Sequence, residues 1–233
     1  GLAAIGIADR NTLAGVVRAH TAAKECKIRL LVGARLVTTC GFESICYPTD
    51  RAAYGRLCRL LTVGNRRAPK GECHLGLDDI LGAAEGQIFI AIPPRKLDPG
   101  FAERLGRLAQ VVPGRTYLAA TLAFDGRDRG RLVALDALSS KLAVPLIAST
   151  DALYHTPDRK MLADVLTCIR EKCTISDAGY RLSANSERHL KPAAEMARLY
   201  ARMPEALART IQIAGRISFS LDSLDPAVVV LVT

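Results

Sequence analysis

The sequence has no tryptophan and no Cys-x-x-Cys pair, and each absence argues against a class of function. Six tyrosines and five phenylalanines are too few to suggest a stacking platform for single-stranded nucleic acid. The spacing of the seven cysteines supports neither a zinc ribbon nor a redox pair, so we expect reduced thiols in a cytoplasmic protein. A G-x-G-x-x-G loop and a P-loop are also missing, which argues against the common nucleotide-phosphate sites.

Long apolar runs are absent as well. The longest run, Ala227–Val232, is far shorter than the roughly 18 residues that a membrane helix needs, and the start of the sequence has no secretory-signal pattern. We therefore expect a soluble protein with no membrane partner. The 233 residues are 49% hydrophobic and 24% charged, which is typical of a globular protein with a real core. The net charge of +9 suits a polyanionic partner but is spread along the chain.

Short apolar strands alternate with helical segments over residues 1–158. The predicted strands are Leu2–Ala8, Arg29–Val37, Ser44–Tyr47, Gln87–Ile92, Thr116–Ala120 and Pro145–Ser149. Such alternation predicts an α/β protein with a parallel sheet, either a barrel or an open wound sheet. Residues 159–224 are predicted to be helical, and residues 225–233 form a divergent apolar tail.

Candidate functional residues follow the predicted strands. Asp9, Arg35, Glu43 and Asp151 lie in or just after strands, and His74 lies in a later loop. In parallel βα architectures the carboxyl ends of the strands carry the working residues. Carboxylates and a histidine at one rim could hold a divalent metal that activates water for phosphoester hydrolysis. The alternative is that the aspartates only cap the helices that follow them.

Basic residues gather on and after the helix predicted over Arg51–Val63. The candidates for contact with nucleic-acid phosphates are Arg56, Arg59, Arg66, Arg67 and Lys70. Arg56 and Arg59 share a helix face away from the leucines, so we expect them to point to solvent. They could meet DNA or another protein surface, although a merely solvated face is the alternative.

Five stretches of the sequence resemble one known family. They are IADRNTLAGVVRAH (Ile7–His20), DRAAYGRLCRLLT (Asp50–Thr62), KGECHLGLDDIL (Lys70–Leu81), DVLTCIREKCTI (Asp164–Ile175) and ERHLKPAAEMARLY (Glu187–Tyr200). Together they are similar to the amino-terminal PHP domain of bacterial C-family DNA polymerases. The branch they resemble is the error-prone, DNA polymerase III alpha-like type that works in damage-induced (SOS) mutagenesis. The resemblance runs from Leu2 to about Leu224.

This resemblance implies a distorted (β/α)7 TIM-like barrel of PHP type, followed by a helical part that leads toward the polymerase core. Metal-bearing members of the family can hydrolyse phosphoesters or proofread, whereas others have lost the ligands and stabilise the polymerase. Measured against the family, this chain lacks the first strand. We therefore expect an unpaired sheet edge beside Leu2–Ala8, where a homodimer could form.

The chain departs from the family's metal-binding pattern at most ligand positions. The His-x-His of the opening strand is absent, and the family's Asp-His reads Asp9-Arg10. Arg35 stands where the family often has an acidic residue, and Glu43 stands where a histidine is expected. The last motif, Asp-x-His, ends here in Leu153.

The residues that remain in the family's metal motifs form a vestigial set. They are Asp9, Glu43, His74 and Asp151. The resemblance implies that Arg10 and Arg35 stand in for the lost ions, because a guanidinium can bind a carboxylate through two hydrogen bonds. We expect no cofactor, or at most zinc or manganese at a degenerate site, and no catalytic residue in this chain.

Three functions follow from these expectations. The first is a structural domain of an error-prone DNA polymerase in DNA replication and translesion synthesis, with the polymerase active site outside this chain. Its partners would be DNA, the downstream polymerase domains or mutagenesis accessory proteins. The alternatives are a metal-dependent phosphoesterase or 3′–5′ exonuclease, and a free-standing DNA- or protein-binding module.

Overall fold

The computed structural model describes residues 2–224, and the predicted apolar tail at 225–233 lies outside the described residues. Six strands form one curled sheet in sequence order. They are β1 (Ala4–Arg10), β2 (Arg29–Val37), β3 (Glu43–Pro48), β4 (Gln87–Ile92), β5 (Thr116–Thr121) and β6 (Leu146–Ser149). Over residues 2–224 the first and last strands do not pair with each other, so the sheet is a half-barrel of the predicted TIM-like class.

The sheet is parallel at both ends and antiparallel in the middle. β1 is parallel to β2, and β4, β5 and β6 are parallel to one another, but β3 runs antiparallel to both of its neighbours. The expectation of a wholly parallel sheet is therefore wrong at β3. The reason is the short connection after β2, where Thr38 closes a turn onto the carbonyl of Phe42 and Gly41 takes a φ of +78°. So short a link cannot return the chain in the parallel direction.

Nine helices and three single 3-10 turns complete residues 2–224. The helices are α1 (Val16–Glu25), α2 (Arg51–Arg66), α3 (Leu77–Gly82), α4 (Pro99–Val111), α5 (Asp128–Leu142), α6 (Lys160–Glu171), α7 (Ile175–Ala178), α8 (Ala193–Leu199) and α9 (Pro204–Arg216). The helical region predicted after residue 158 is present, although residues 182–192 are not helical and His189 forms a bridge with Tyr154. Among the described residues no helix is both long enough and apolar enough to cross a membrane.

The sheet has a separate apolar layer on each face. Successive strand residues point to opposite faces, and in β4 the side chain of Phe89 joins one layer while Ile88 and Ile90 join the other. The first layer contains buried residues of α2 to α5. On the other face Ile213 and Ile217, from α9 and the residue after it, pack against the strands. Helix α9 thus covers this face of the half-barrel.

Helix α2 forms as its sequence predicts. The Asp50 carboxylate caps it by accepting a 2.8 Å hydrogen bond from the amide of Ala53. Leu57, Leu60 and Leu61 are 0%, 5% and 5% exposed, which confirms the predicted apolar face. The arginines of α2 therefore occupy its outer side.

A close approach of strands makes Gly33 a sensitive position. A Cβ there would lie 2.5 Å from the carbonyl oxygen of Cys46 and 2.6 Å from the ring of Tyr47. We expect Gly33→Ala to lower the free energy of unfolding, measured by urea denaturation, by about 1–3 kcal/mol because the core is already full. Gly55 in α2 faces open space, so Gly55→Ala should be neutral or stabilising. Equal stabilities of the two variants would contradict this prediction.

Candidate functional site

Three charged residues lie on one face of the sheet at the carboxyl ends of β1 and β2 and the start of β3. The ring of Tyr47 lies over Gly6 and Gly33, so Tyr47, Gly6 and Gly33 share one face of the sheet. Strand residues separated by an even number share a face. At the carboxyl ends of β1 and β2 and the start of β3, the charged residues that this rule adds to that face are Arg10, Arg35 and Glu43. Because β1 and β2 are in register, Arg10 and Arg35 stand side by side.

Arg35 lies between two carboxylates. Its Nε donates to Oε2 of Glu43 at 2.8 Å, and its Nη2 is 2.6 Å from the same oxygen. Its Nη1 donates to Oδ1 of Asp151 at 2.7 Å. The side chains of Arg35, Glu43 and Asp151 are 19%, 27% and 16% exposed, so water screens these contacts only in part. Burial by itself would lower the pKa of Arg35, but Asp151 and Glu43 outweigh it and the pKa is raised. The guanidinium therefore stays charged.

Asp151 binds a second arginine that sequence reasoning did not single out. Nη2 of Arg188 donates to Oδ2 of Asp151, and its Nε donates to the backbone oxygen of Asp151 at 3.0 Å. Asp151 has a φ of +45°, in the left-handed region that aspartate tolerates better than most residues. Each oxygen of the Asp151 carboxylate thus faces a different guanidinium.

Asp9 and Arg10 contribute little to this cluster. Asp9 is on the opposite face of β1 from Arg10, and its Oδ2 accepts a 2.8 Å hydrogen bond from the amide of Gly15 at the start of α1. This is the capping role that the sequence left open as the alternative. Arg10 is 55% exposed and its Nη1 is 3.7 Å from Oε1 of Glu43, a loose ion pair.

His74 is not brought to the cluster. Its ring is 46% exposed and lies 3.1 Å from the Glu72 carboxylate, and its amide donates to the carbonyl of Gly64 in α2. Leu153, at the position of a family histidine, is 52% exposed. Across residues 2–224, no group of three or more His, Cys, Asp or Glu side chains is placed to hold a metal ion. Because the guanidinium of Arg35 lies between the two carboxylates, the residues present do not fit zinc or manganese.

The motif ERHLKPAAEMARLY fastens the helical region to the half-barrel. Lys191 is only 4% exposed, and its Nζ lies 2.7 Å from Oε2 of Glu187, 3.3 Å from Nε2 of His189 and 5.3 Å from the centre of the Phe124 ring. The same segment supplies Arg188 to the Asp151 carboxylate.

Tyr200 makes a second attachment at the end of that motif. Its hydroxyl approaches two carbonyl oxygens, that of Ala120 in β5 at 2.6 Å and that of Ser149 in β6 at 3.0 Å. Burial raises the pKa of Tyr200 to about 12, so the hydroxyl keeps the proton that it donates. The segment after the half-barrel is therefore tied to the same rim as the charged cluster.

The predicted basic patch divides into paired and unpaired cations. Arg56 donates to the carbonyl of Glu85 at 2.8 Å, and Arg67 lies 2.6 Å from Oδ2 of Asp79. The amide of Gly76 and the guanidinium of Arg67 lower the pKa of Asp79. The remaining three cations are exposed and have no ion pair within the part of the chain that the structure describes; they are Arg59, Arg66 and Lys70.

No protein-family model matches the chain. Curated relatives do, and the three described here are each called "Error-prone DNA polymerase". The protein from Caulobacter vibrioides is 52% identical over 225 residues, covering 96% of this chain and 21% of its own length. Those from a Bradyrhizobium species and from Rhodopseudomonas palustris are 49% and 50% identical over 235 and 230 residues. The chain spans about a fifth of the length of these relatives.

The chain also overlaps in part with two solved structures, at TM-scores below 0.5. One, from Bifidobacterium adolescentis, is described as a metal-dependent phosphoesterase and has a TM-score of 0.47 at 13% identity, covering 65% of this chain and 77% of that one. The other is an amidohydrolase from Chromobacterium violaceum with a TM-score of 0.43 at 14% identity, covering 64% and 76%.

Proposed function

Because the chain is homologous over nearly its whole length to one segment of error-prone DNA polymerases, as its motifs predict, we propose that it is the structural, non-catalytic PHP domain of such an enzyme. The polymerase would act in DNA replication and damage-induced translesion synthesis. Nucleotide transfer would take place in the remaining four-fifths of the longer protein. The role of this chain would be structural, as a rigid domain that the ion pairs of the charged rim hold together.

The position of Arg35 carries this proposal. A divalent metal would need Glu43 and Asp151 as ligands, and both already bind the same guanidinium. Summed over the rim, the three cations Arg10, Arg35 and Arg188 outweigh the two carboxylates by one positive charge before any metal enters. A divalent metal ion would therefore be repelled from the rim rather than attracted to it.

The arginines also have a mechanical role. Arg35 joins β2 to β3 and to the loop after β6, and Arg188 joins that loop to the helical region. Charged hydrogen bonds therefore join these elements without a metal ion. The rim would stay closed without a cofactor.

The test is the metal content of the purified chain after dialysis against trace zinc and manganese, measured by elemental analysis. We expect substoichiometric metal in a folded protein. One metal per chain that is lost in Asp151→Asn, together with metal-stimulated nuclease activity, would overturn the proposal. That result would favour the phosphoesterase or exonuclease function instead.

DNA binding through α2 gives a separate prediction. Reversing the unpaired cations in an Arg59→Glu/Arg66→Glu variant should weaken binding to duplex DNA. It should also flatten the slope of log K against log salt by about 2, since each lost phosphate contact contributes about 0.9. The matched control is Arg18→Glu/Arg202→Glu, which changes the net charge equally at exposed positions on α1 and after α8. Equal slopes for the two variants would mean that α2 makes no specific phosphate contacts.

A further inference from the structure

Helix α6 points an apolar face into solvent. Its exposed large side chains are spaced three or four residues apart, so they lie along one side of the helix. This α6 face consists of Met161, Leu162, Val165, Leu166 and Ile169, which are between 37% and 74% exposed. By contrast, Cys168 is the buried residue of the helix. The helix is amphipathic, but its apolar side is not turned toward the core.

The α6 face continues into a depression at the carboxyl end of the helix. A cavity of about 580 Å³ lies between α6 and α7, and its lining includes Val165, Ile169 and Ile175. Ile175 is 55% exposed, and Tyr180, in the 3-10 turn after α7, is 97% exposed. The helix packs chiefly against α7 and the turn at Pro157–Arg159, its neighbours in the chain. Contiguous exposed apolar patches on folded monomers often mark a surface that another surface covers.

Charged residues stand at both ends of the α6 face. Arg159 and Lys172 have no ion pair among residues 2–224. Each has an exposed acidic neighbour in sequence, Asp158 and Glu171, so the ends of the face carry both signs of charge. A partner that pairs with Arg159 and Lys172 would need carboxylates of its own.

We propose that the α6 face is the docking surface for the rest of an error-prone polymerase polypeptide. This inference rests on the proposed function. The homologous polymerases are about five times as long as the matched segment, so each has ample further chain to cover the face. The covering surface would be apolar at its centre, with an acidic side chain near each end to meet Arg159 and Lys172.

Hydroxyl-radical footprinting can test this inference on an intact polymerase. In the chimera, this chain replaces the matching segment of the Caulobacter vibrioides enzyme. We expect labelling of Met161 and Ile169 to fall several-fold between the isolated chain and the chimera, toward the level of the fully buried Leu118. Undiminished labelling of both residues in the chimera would overturn the inference. It would do so even where the chimera still synthesises DNA and the proposed function stands.

A substitution adds an independent measurement. Ile169→Asp should leave the melting temperature of the isolated chain unchanged, since the side chain is 68% exposed there, but should lower that of the chimera. An unchanged chimera would contradict docking at this face. Two other results would also overturn the inference. One is protection of the α6 face in a dimer of the isolated chain. The other is protection of the α6 face in the isolated chain that is lost when residues 225–233 are deleted. A chimera that protects α6 but makes no DNA would count against the proposed function alone.

Discussion

Replacing Arg35 by alanine should lower the free energy of unfolding by about 3 kcal/mol, as expected when one partner of a largely buried ion pair is removed. The substitution leaves Glu43 and Asp151, which are 27% and 16% exposed, without the cation that both bind. Their mutual repulsion and incomplete hydration then oppose folding. Urea denaturation followed by circular dichroism at neutral pH measures the loss.

Arg10 supplies the control for this experiment. It lies beside Arg35 in the sheet, but its side chain is 55% exposed and its ion pair with Glu43 is long, at 3.7 Å. Arg10→Ala should therefore lower the free energy of unfolding by no more than about 1 kcal/mol. Adding Glu43→Gln to Arg35→Ala should restore part of the lost stability, because Glu43 is then no longer an unpaired charge, while Asp151 keeps its ion pair with Arg188. Equal losses for Arg10→Ala and Arg35→Ala would show that Arg35 does not hold the rim together.

Much of the fold could be predicted because its signals are local. The apolar side of α2 depends on Leu57, Leu60 and Leu61, and its start depends on Asp50, all within a dozen residues. The direction of β3 could not be read in this way. It depends on how the chain turns at Gly41, and an apolar segment such as Ser44–Tyr47 carries no mark of its direction.

The charged rim was predicted in part. The motif comparison pointed to Arg35, Glu43 and Asp151, and the structure brings these three together. Its position at the end of a strand predicts Asp9 in the same group, although period-two alternation puts Asp9 on the other face from Arg10. Arg188 was missed because it lies 37 residues from Asp151 in sequence and belongs to a helical region. No periodicity in the sequence relates the two.

Removing Glu187 should destabilise the protein to a similar extent. The side chain of Lys191 is 4% exposed, and its ammonium group has Glu187 as its carboxylate partner at 2.7 Å. In Glu187→Ala a nearly buried cation is left with the His189 ring and the Phe124 ring, which together cannot replace a full negative charge. We expect a loss of about 3 kcal/mol in the free energy of unfolding, measured by urea denaturation.

The reciprocal substitution separates a buried charge from lost packing. Lys191→Met keeps most of the side-chain volume and removes the charge, while Glu187 remains 36% exposed to water. The loss should therefore stay within about 1.5 kcal/mol, smaller than that of Glu187→Ala. The reverse order would mean that contacts of Lys191 other than its ion pair with Glu187 stabilise the attachment. In the expected order, Glu187 acts mainly by neutralising Lys191 where the helical region meets the half-barrel, as Asp151 does for Arg35 and Arg188 at the rim.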